Sequence, residues 1–395
     1  MTSCAWARAS LPAAIVMSAA NLAQAGVWYT DPSVGLTSDY STNPQLLDAH
    51  RTAITDAAVL LDAPTTYTAN AAKLVLEPSF RFSDNSGYSS IVSNYAHFTA
   101  TGEIDTERSS LKATGALERD SSLYQDYNLN GSIGVRQDTA FTDATWQRSL
   151  TERLSLSVEG NYSKVRYGES NGIPTLTDYT YSSASPTLSW KSGERTTLSI
   201  LGGFSIYDSL DGTTQSKDTN LEFGFIRELG QLWTFTASAG YSRESNRIKE
   251  YFGPFYLGSF RATENGTVFS GNLTRQGIRN STTVLASRTL APSGFAFLSR
   301  RDLYQIVENY PLSERCSLQG YIRVRKELDP QFFAPAIERK FLDVGASAAW
   351  QMTELWTVSF SVAHVAERYG AASSSVAESQ VSLELARRFK RWEWH

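Results

Sequence analysis

The chain has 395 residues, a formal net charge of −4 and an aromatic content of 12%. A mildly acidic chain is not attracted to nucleic acid by charge, so the composition argues against a nucleic-acid partner. Two cysteines cannot build a disulfide framework or a thiolate metal cluster, no histidine-rich metal motif appears among the four histidines, and we expect no cofactor.

Residues 1–25 have the three parts of a secretory signal peptide. Arg8 supplies the positive n-region, residues 11–20 form the apolar h-region, and residues 23–25 (Ala-Gln-Ala) form the cleavage site. The apolar segment contains Pro12 and is shorter than the about 20 residues that a spanning helix needs. We therefore expect an exported protein in which residues 26–395 form a single domain.

The remainder of the chain alternates between apolar and polar residues, which is the period of a half-buried β-strand. A first strand is predicted at 33–40, and clear cases begin at Leu154, Trp233 and Trp356. The last strand, at 377–389, is followed by aromatic residues of the kind that barrel-assembly signals contain. An apolar face and a polar face are typical of strands that separate lipid from an aqueous lumen.

A short turn signature recurs between these strands. Its glutamates are Glu107, Glu152, Glu194, Glu314 and Glu354. Most lie about 40 residues apart, which accommodates two strands, a tight turn and a longer loop. The count predicts a closed antiparallel up-and-down transmembrane β-barrel of about eighteen strands, with sixteen as the alternative and both termini in the periplasm.

A soluble β-propeller is the competing fold, because its blades have a similar period. Each blade needs four strands, whereas each repeat here has room for two. Four tryptophans also lie beside the tight turns, as an interfacial girdle requires. They are Trp190, Trp233, Trp350 and Trp356. Both observations favour the membrane barrel.

Polar or glycine-rich segments between the tight turns predict the outer loops. These segments are 168–177, 208–218, 245–263, 328–338 and 370–375. The second contains Asp208, Asp211, Gly212 and Asp218, but it lacks the spacing and final Glu of an EF-hand, so a solvated loop is favoured over a calcium site. For the segment 121–145, the sequence does not decide between part of a long strand, an extra hairpin and an infolded loop.

The hairpins of the form strand, Leu-Ser/Thr-Glu-Arg, strand resemble a family of outer-membrane β-barrel porins. Residues 31–36 (DPSVGL) and 290–294 (LAPSG) carry the same resemblance, which covers nearly the whole mature chain. Members are often encoded beside exopolysaccharide or exosortase systems of Gram-negative bacteria. The resemblance implies a location in the envelope and a link to polysaccharide export, without a substrate or catalytic residues.

Charged residues on the polar faces of the strands are the candidate functional residues. A charge that faces lipid near the midplane costs about 2–4 kcal/mol, so these side chains are expected to line the lumen. They are Glu77, Arg81, Glu159, Glu222, Glu228, Arg323, Arg325, Asp343, Glu384 and Arg388. Arg323 and Arg325 should share one side of a strand and favour anions, unless acids such as Asp343 neutralise them.

Three functions are compatible with this pattern. A porin-like passive channel for small hydrophilic solutes or an oligosaccharide is favoured, because a barrel of this size encloses water unless an infolded loop plugs it. A non-conducting structural or accessory barrel of an exopolysaccharide export system is the alternative. A hydrolase is disfavoured, since His50, His97, His364 and His395 match no catalytic Ser or Asp arrangement. Expected partners are outer-membrane lipid and lipopolysaccharide, the barrel-assembly machinery and exopolysaccharide export components.

Overall fold

The protein is built from β-strands. The computed structural model describes residues 26–44, 46, 53–86, 94–121, 136–168, 176–252, 255–293, 298–329, 337–370 and 375–394. The predicted signal peptide, residues 1–25, lies outside the described residues. In the part of the chain that the structure describes, no helix has the length and hydropathy needed to span a membrane.

The strands form one sheet of twenty-one members. In chain order they are β1 (Val27–Thr30), β2 (Ser33–Ser41), β3 (Ile54–Asp62), β4 (Thr65–Thr68), β5 (Ala72–Ser86), β6 (Tyr95–Asp105), β7 (Ser109–Ser121), β8 (Arg136–Ser149), β9 (Leu154–Tyr167), β10 (Tyr179–Gly193), β11 (Thr196–Ser209), β12 (Thr214–Glu228), β13 (Trp233–Phe252), β14 (Phe255–Gln276), β15 (Ser281–Pro292), β16 (Leu298–Ser313), β17 (Cys316–Asp329), β18 (Ile337–Gln351), β19 (Trp356–Tyr369), β20 (Ser375–Arg388) and β21 (Trp392–Trp394).

Eighteen of these strands close into an antiparallel ring. From β5 to β20 each strand pairs with the next, β3 pairs with β5, and β2 pairs with both β3 and β20. Every ring strand thus has two hydrogen-bonded neighbours, which is how a barrel satisfies its backbone in lipid. The predicted count of eighteen is confirmed, and the alternative of sixteen is wrong.

The outer surface of the ring is apolar, as the alternation predicts. On β12, for example, Leu221 and Phe223 are 52% and 65% exposed, whereas Gly224 between the apolar rows is buried. The four predicted girdle tryptophans lie at outward positions beside the tight turns, and Trp190 and Trp350 are about half exposed. An apolar band bordered by tryptophan is the surface that a barrel presents to lipid.

Threonine side chains explain the recurring turn signature. The Oγ1 atoms of Thr106, Thr151 and Thr353 each accept a hydrogen bond from the backbone N–H three residues ahead, at 3.0, 3.0 and 3.1 Å. This bond closes the tight turn and satisfies a backbone donor that lies outside the strand ladder. The glutamate that follows each threonine is exposed, so the residue of the signature that stabilises the turn is the threonine.

The three remaining strands extend the sheet beyond the ring at the tight-turn end. β1 pairs with β4 and β21, and β4 pairs with the first residues of β5. Three prolines lie where these three strands adjoin the ring. Each lacks a backbone N–H but still accepts a hydrogen bond at its carbonyl. Pro32, Pro64 and Pro78 accept from Phe389, Asp31 and Ala63 at 2.8, 3.0 and 3.2 Å.

Two of the predicted outer loops are wrong. Most of 208–218 belongs to β11 and β12, which are joined by a tight turn at 210–213 where Gly212 has a φ of 73°. Most of 245–263 belongs to the long β13–β14 hairpin. Polar composition suggested loops here, but strand pairing continues past the apolar band of the ring.

In the same turn, the side chain of Asp211 makes hydrogen bonds to its neighbours. The Asp211 carboxylate accepts bonds from the Ser209 hydroxyl at 2.6 Å and from the Thr213 backbone N–H at 2.9 Å. It therefore shapes the hairpin. Of the open segment 121–145, the structure shows β8 beginning at Arg136, and residues 122–135 lie outside the described part of the chain.

Candidate permeation path

The pairing registers show which side chains point into the ring. Paired residues of adjacent strands share one face, so the outward apolar rows identify the inward rows around the whole barrel. Each predicted lumen charge occupies an inward position: Glu77, Arg81, Glu159, Glu222, Glu228, Arg323, Arg325, Asp343, Glu384 and Arg388.

An arginine cluster, defined as Arg301, Arg323, Arg325 and Arg339, lies on the inner face of β16, β17 and β18. Its centre is Glu327, which is 2% exposed and lies 3.0 Å from Arg301, 3.4 Å from Arg325 and 3.1 Å from Arg339. The four arginines of the cluster face three acids, namely Glu327, Asp343 and Glu367 of β19, so one formal positive charge remains among these groups. The guanidinium of Arg325 also stacks on Phe341, at 4.4 Å from the ring centroid.

Arg323 and Arg325 lie on the same side of β17, as expected, but neither is a free cation. Arg323 donates to Asp343 at 2.6 Å, and Arg325 belongs to the group around Glu327. The neutralisation that the sequence left open for Asp343 therefore occurs. Anion preference cannot be assigned to this pair alone.

A second buried ion-pair group links the strands where the ring closes. Arg81 on β5 donates to Asp39 on β2 at 2.6 Å and to Asp56 on β3 at 2.7 Å. Asp39 and Asp56 are direct register partners, so without Arg81 two carboxylates would repel each other. This predicted lumen residue thus has a structural role at the closure.

An acidic wall, defined as Glu118, Asp143 and Glu159, faces the lumen from β7, β8 and β9. Counted around the ring, β8 is nine strands from β17 in either direction, so this wall lies opposite the arginine cluster. Asp143, Glu159 and Arg323 lie near mid-height of their strands, whereas Glu118 and the other three arginines lie nearer the loop end. A solute that crosses the lumen therefore passes between walls of opposite charge.

The β15–β16 hairpin reaches the inside of the barrel at Ser293 and Leu298, the described residues on either side of its tip. Leu298, which is 1% exposed, packs with Val165, Tyr179 and Tyr207 on the inner face of β9, β10 and β11. The Tyr207 hydroxyl donates to the Ser293 carbonyl at 3.3 Å. The hairpin thus bridges two wall sectors that are separated by β12, β13 and β14, and it narrows the lumen. An infolded segment exists, in a different place from the open segment 121–145.

A side chamber lies between this hairpin tip and the wall behind it. Two hollows of about 220 and 200 Å³ are lined by tip residues, including Leu290, and by acids of β12–β14. The acids are Asp218, Glu222, Glu244 and Glu264. Glu222 of the predicted set belongs here and lies away from the main path.

The histidines form no evident site. His97 stacks on Tyr95 at 4.4 Å and lies 3.4 Å from Asp120, while His364 contacts Ser379 at 2.9 Å on the outer face. His50 and His395 lie outside the described residues. Within the described ranges, no group of three or more His, Cys, Asp and Glu side chains is arranged to hold a metal ion.

Several residues that line the lumen or the side chamber were missed from the sequence. Arg301, Glu327 and Arg339 follow the inward alternation, but they lie toward the strand ends, and the alternation alone did not show where these strands end. Asp218 was the last residue of one predicted loop, and Glu244 came directly before another. Neither was therefore assigned to the inward or the outward face of a strand. A longer strand assignment, extended through each polar segment, would have found all five.

No protein-family model matches this sequence, and no curated protein matches it. Solved structures with a similar fold include the outer membrane protein OpdK of Pseudomonas aeruginosa, at 13% identity over 92% of this chain and 99% of that chain, with a TM-score of 0.47. OccK9 (OpdG) of the same organism is 15% identical over 91% and 98% of the two chains, with a TM-score of 0.48. OccAB2 of Acinetobacter baumannii is 10% identical over 92% and 98%, with a TM-score of 0.47. The expected link to exopolysaccharide export stays a prediction.

Proposed function

We propose that this protein is an outer-membrane channel through which small hydrophilic solutes, including charged ones, diffuse passively. One observation carries the proposal: a closed ring of eighteen strands encloses the arginine cluster on one wall and the acidic wall opposite it. Barrels of about 16–18 strands are wide enough for an aqueous channel. Charged residues on facing walls of such a channel hold water and set which ions pass.

The β15–β16 hairpin restricts this path where Ser293 and Leu298 contact the inner face of β9, β10 and β11. It is held by packing of Leu298 against the tyrosines of β10 and β11 and by the bond from Tyr207. These contacts join β16 to β9, β10 and β11, so the hairpin restricts the cross-section of the lumen on this side of the ring. Passage past the tip would then limit the conductance.

The test is single-channel recording in planar bilayers. Wild-type protein is expected to conduct, and Leu298→Ala is expected to conduct more per channel, because loss of this packing releases the tip. Tyr207→Phe is the matched control, since it removes the hydroxyl bond and keeps the ring packing. Its conductance should stay close to the wild-type value. Protein that inserts and shifts on unboiled gels but does not conduct would contradict the channel and favour a structural barrel.

The orientation proposed for the barrel places both termini in the periplasm. The short strands β1 and β21 lie at the tight-turn end, and in outer-membrane barrels the tight turns face the periplasm. Epitope tags inserted at Gly212 or Gly370 should therefore be labelled on intact cells, whereas tags at Glu152 or Glu314 should be hidden until the membrane is opened. The reverse labelling pattern would overturn the orientation.

A further inference from the structure

A groove of about 520 Å³ lies on the outer face of the barrel across β5 to β9. Phe80, Phe98 and Leu117 form its apolar sides and are 41%, 45% and 63% exposed. Ala96 and Ala140 leave the hollow between them, because small side chains alternate here with large ones. The groove opens to the lipid side of the wall, so a solute inside the lumen does not reach it.

Cations line the loop end of this groove. The set is Arg119, Arg136, Lys164 and Arg166, with Asp138 as the single acid among them. Asp138 lies 2.8 Å from Arg119 and 3.1 Å from Arg136, and it is the register partner of Arg166. In the described part of the chain, no acid lies within ion-pair distance of Lys164 or Arg166. The rim therefore has a surplus of positive charge directed outward.

The height of this rim matches a membrane boundary. Arg119 is ten residues from Ser109 at the tight-turn end of β7. At about 3.3 Å per residue and a tilt near 40°, this corresponds to about 25 Å, the height of the apolar band. The cations thus lie where the headgroups of the outer leaflet begin, and the apolar groove lies directly below them.

We infer that this groove binds a phosphorylated glycolipid of the outer leaflet, lipid A, with its phosphates on Arg119, Lys164 and Arg166 and an acyl chain against Phe98 and Leu117. The inference rests on the proposed outer-membrane location and orientation. Guanidinium and ammonium groups bind phosphate by charge-assisted hydrogen bonds. Apolar side chains below the phosphates require the ligand to be an amphiphile, which neither free phosphate nor a polar solute satisfies.

The test is native mass spectrometry of detergent-purified protein titrated with bisphosphorylated lipid A. The triple variant Arg119→Gln, Lys164→Gln, Arg166→Gln is expected to bind at least about tenfold more weakly, since each cation near an anionic headgroup contributes to affinity. Inorganic phosphate at equal concentration should not compete, and dephosphorylated lipid A should bind as weakly as the variant does.

Two further variants make the assignment specific. Lys217→Gln, Arg243→Gln, Arg247→Gln removes the same charge from outward positions of β12 and β13, and it should bind as the wild type does. Ala140→Trp keeps every cation but fills the groove, and it should weaken binding. An equal loss in the β12–β13 variant, or unchanged binding in Ala140→Trp, would show diffuse charge attraction and overturn the site. Gel mobility and conductance of each variant report folding and channel function separately, so failure of this site is distinguishable from failure of the channel.

Discussion

Glu327→Gln is expected to destabilise the barrel by about 3–5 kcal/mol, because it removes the carboxylate that lies within ion-pair distance of Arg301 and of the buried Arg325 and Arg339. Arg325 and Arg339 are 4% and 1% exposed, so little water can replace the carboxylate that they lose. The measurement is urea titration of protein folded in lipid vesicles, followed by the mobility of unboiled samples on gels. The urea midpoint should fall with little change in slope.

Glu159→Gln is the matched control for that experiment. Glu159 is also an inward acid on a ring strand, but it is exposed, and in the described residues it has no ion pair. Its loss should change stability by no more than about 0.5 kcal/mol. Adding Arg339→Met to Glu327→Gln should recover part of the loss by removing one buried charge that has lost this partner. A Glu327→Gln protein as stable as the wild type would show that water compensates the cluster and that these charges are not truly buried.

The second large effect is expected on ion selectivity. Replacing Glu118, Asp143 and Glu159 with their amides should lower the ratio of cation to anion permeability by at least about threefold, because one unit charge about 7 Å from an ion in water changes its local concentration by about that factor. The readout is the reversal potential in a salt gradient across a planar bilayer. Arg323→Gln should shift the reversal potential in the opposite direction, since it removes positive charge from the facing wall.

Glu222→Gln is the internal control for selectivity. Glu222 is an inward acid of the same type, but it lines the side chamber behind the β15–β16 tip. Its replacement should move the reversal potential far less than replacement of Asp143. A shift from Glu222→Gln equal to that from Asp143→Asn would mean that ions flow through the side chamber, and the proposed main path would be wrong.

The alternation of apolar and polar residues determined most of the fold. Together with the turn signature it predicted a barrel and its strand count. It also predicted the inward side of every candidate charge, because side-chain direction in a strand depends only on whether a residue has an even or odd position. The turn signature located the tight-turn end, because Thr106 and Thr151 act within three residues of themselves. Side-chain direction and the threonine hydrogen bond are local properties that depend on the sequence of a single strand or turn.

Only the tertiary structure decided what those inward charges do. The grouping of three arginines around Glu327, the pairing of Arg323 with Asp343 and the position of β8 opposite β17 depend on register and ring closure, which bring together residues far apart in the chain. The inward fold of the β15–β16 tip depends on Leu298 meeting Tyr207 across three intervening strands. Parity specifies a direction for each side chain, but partners and distances arise from hydrogen bonding between strands, and no local pattern encodes them.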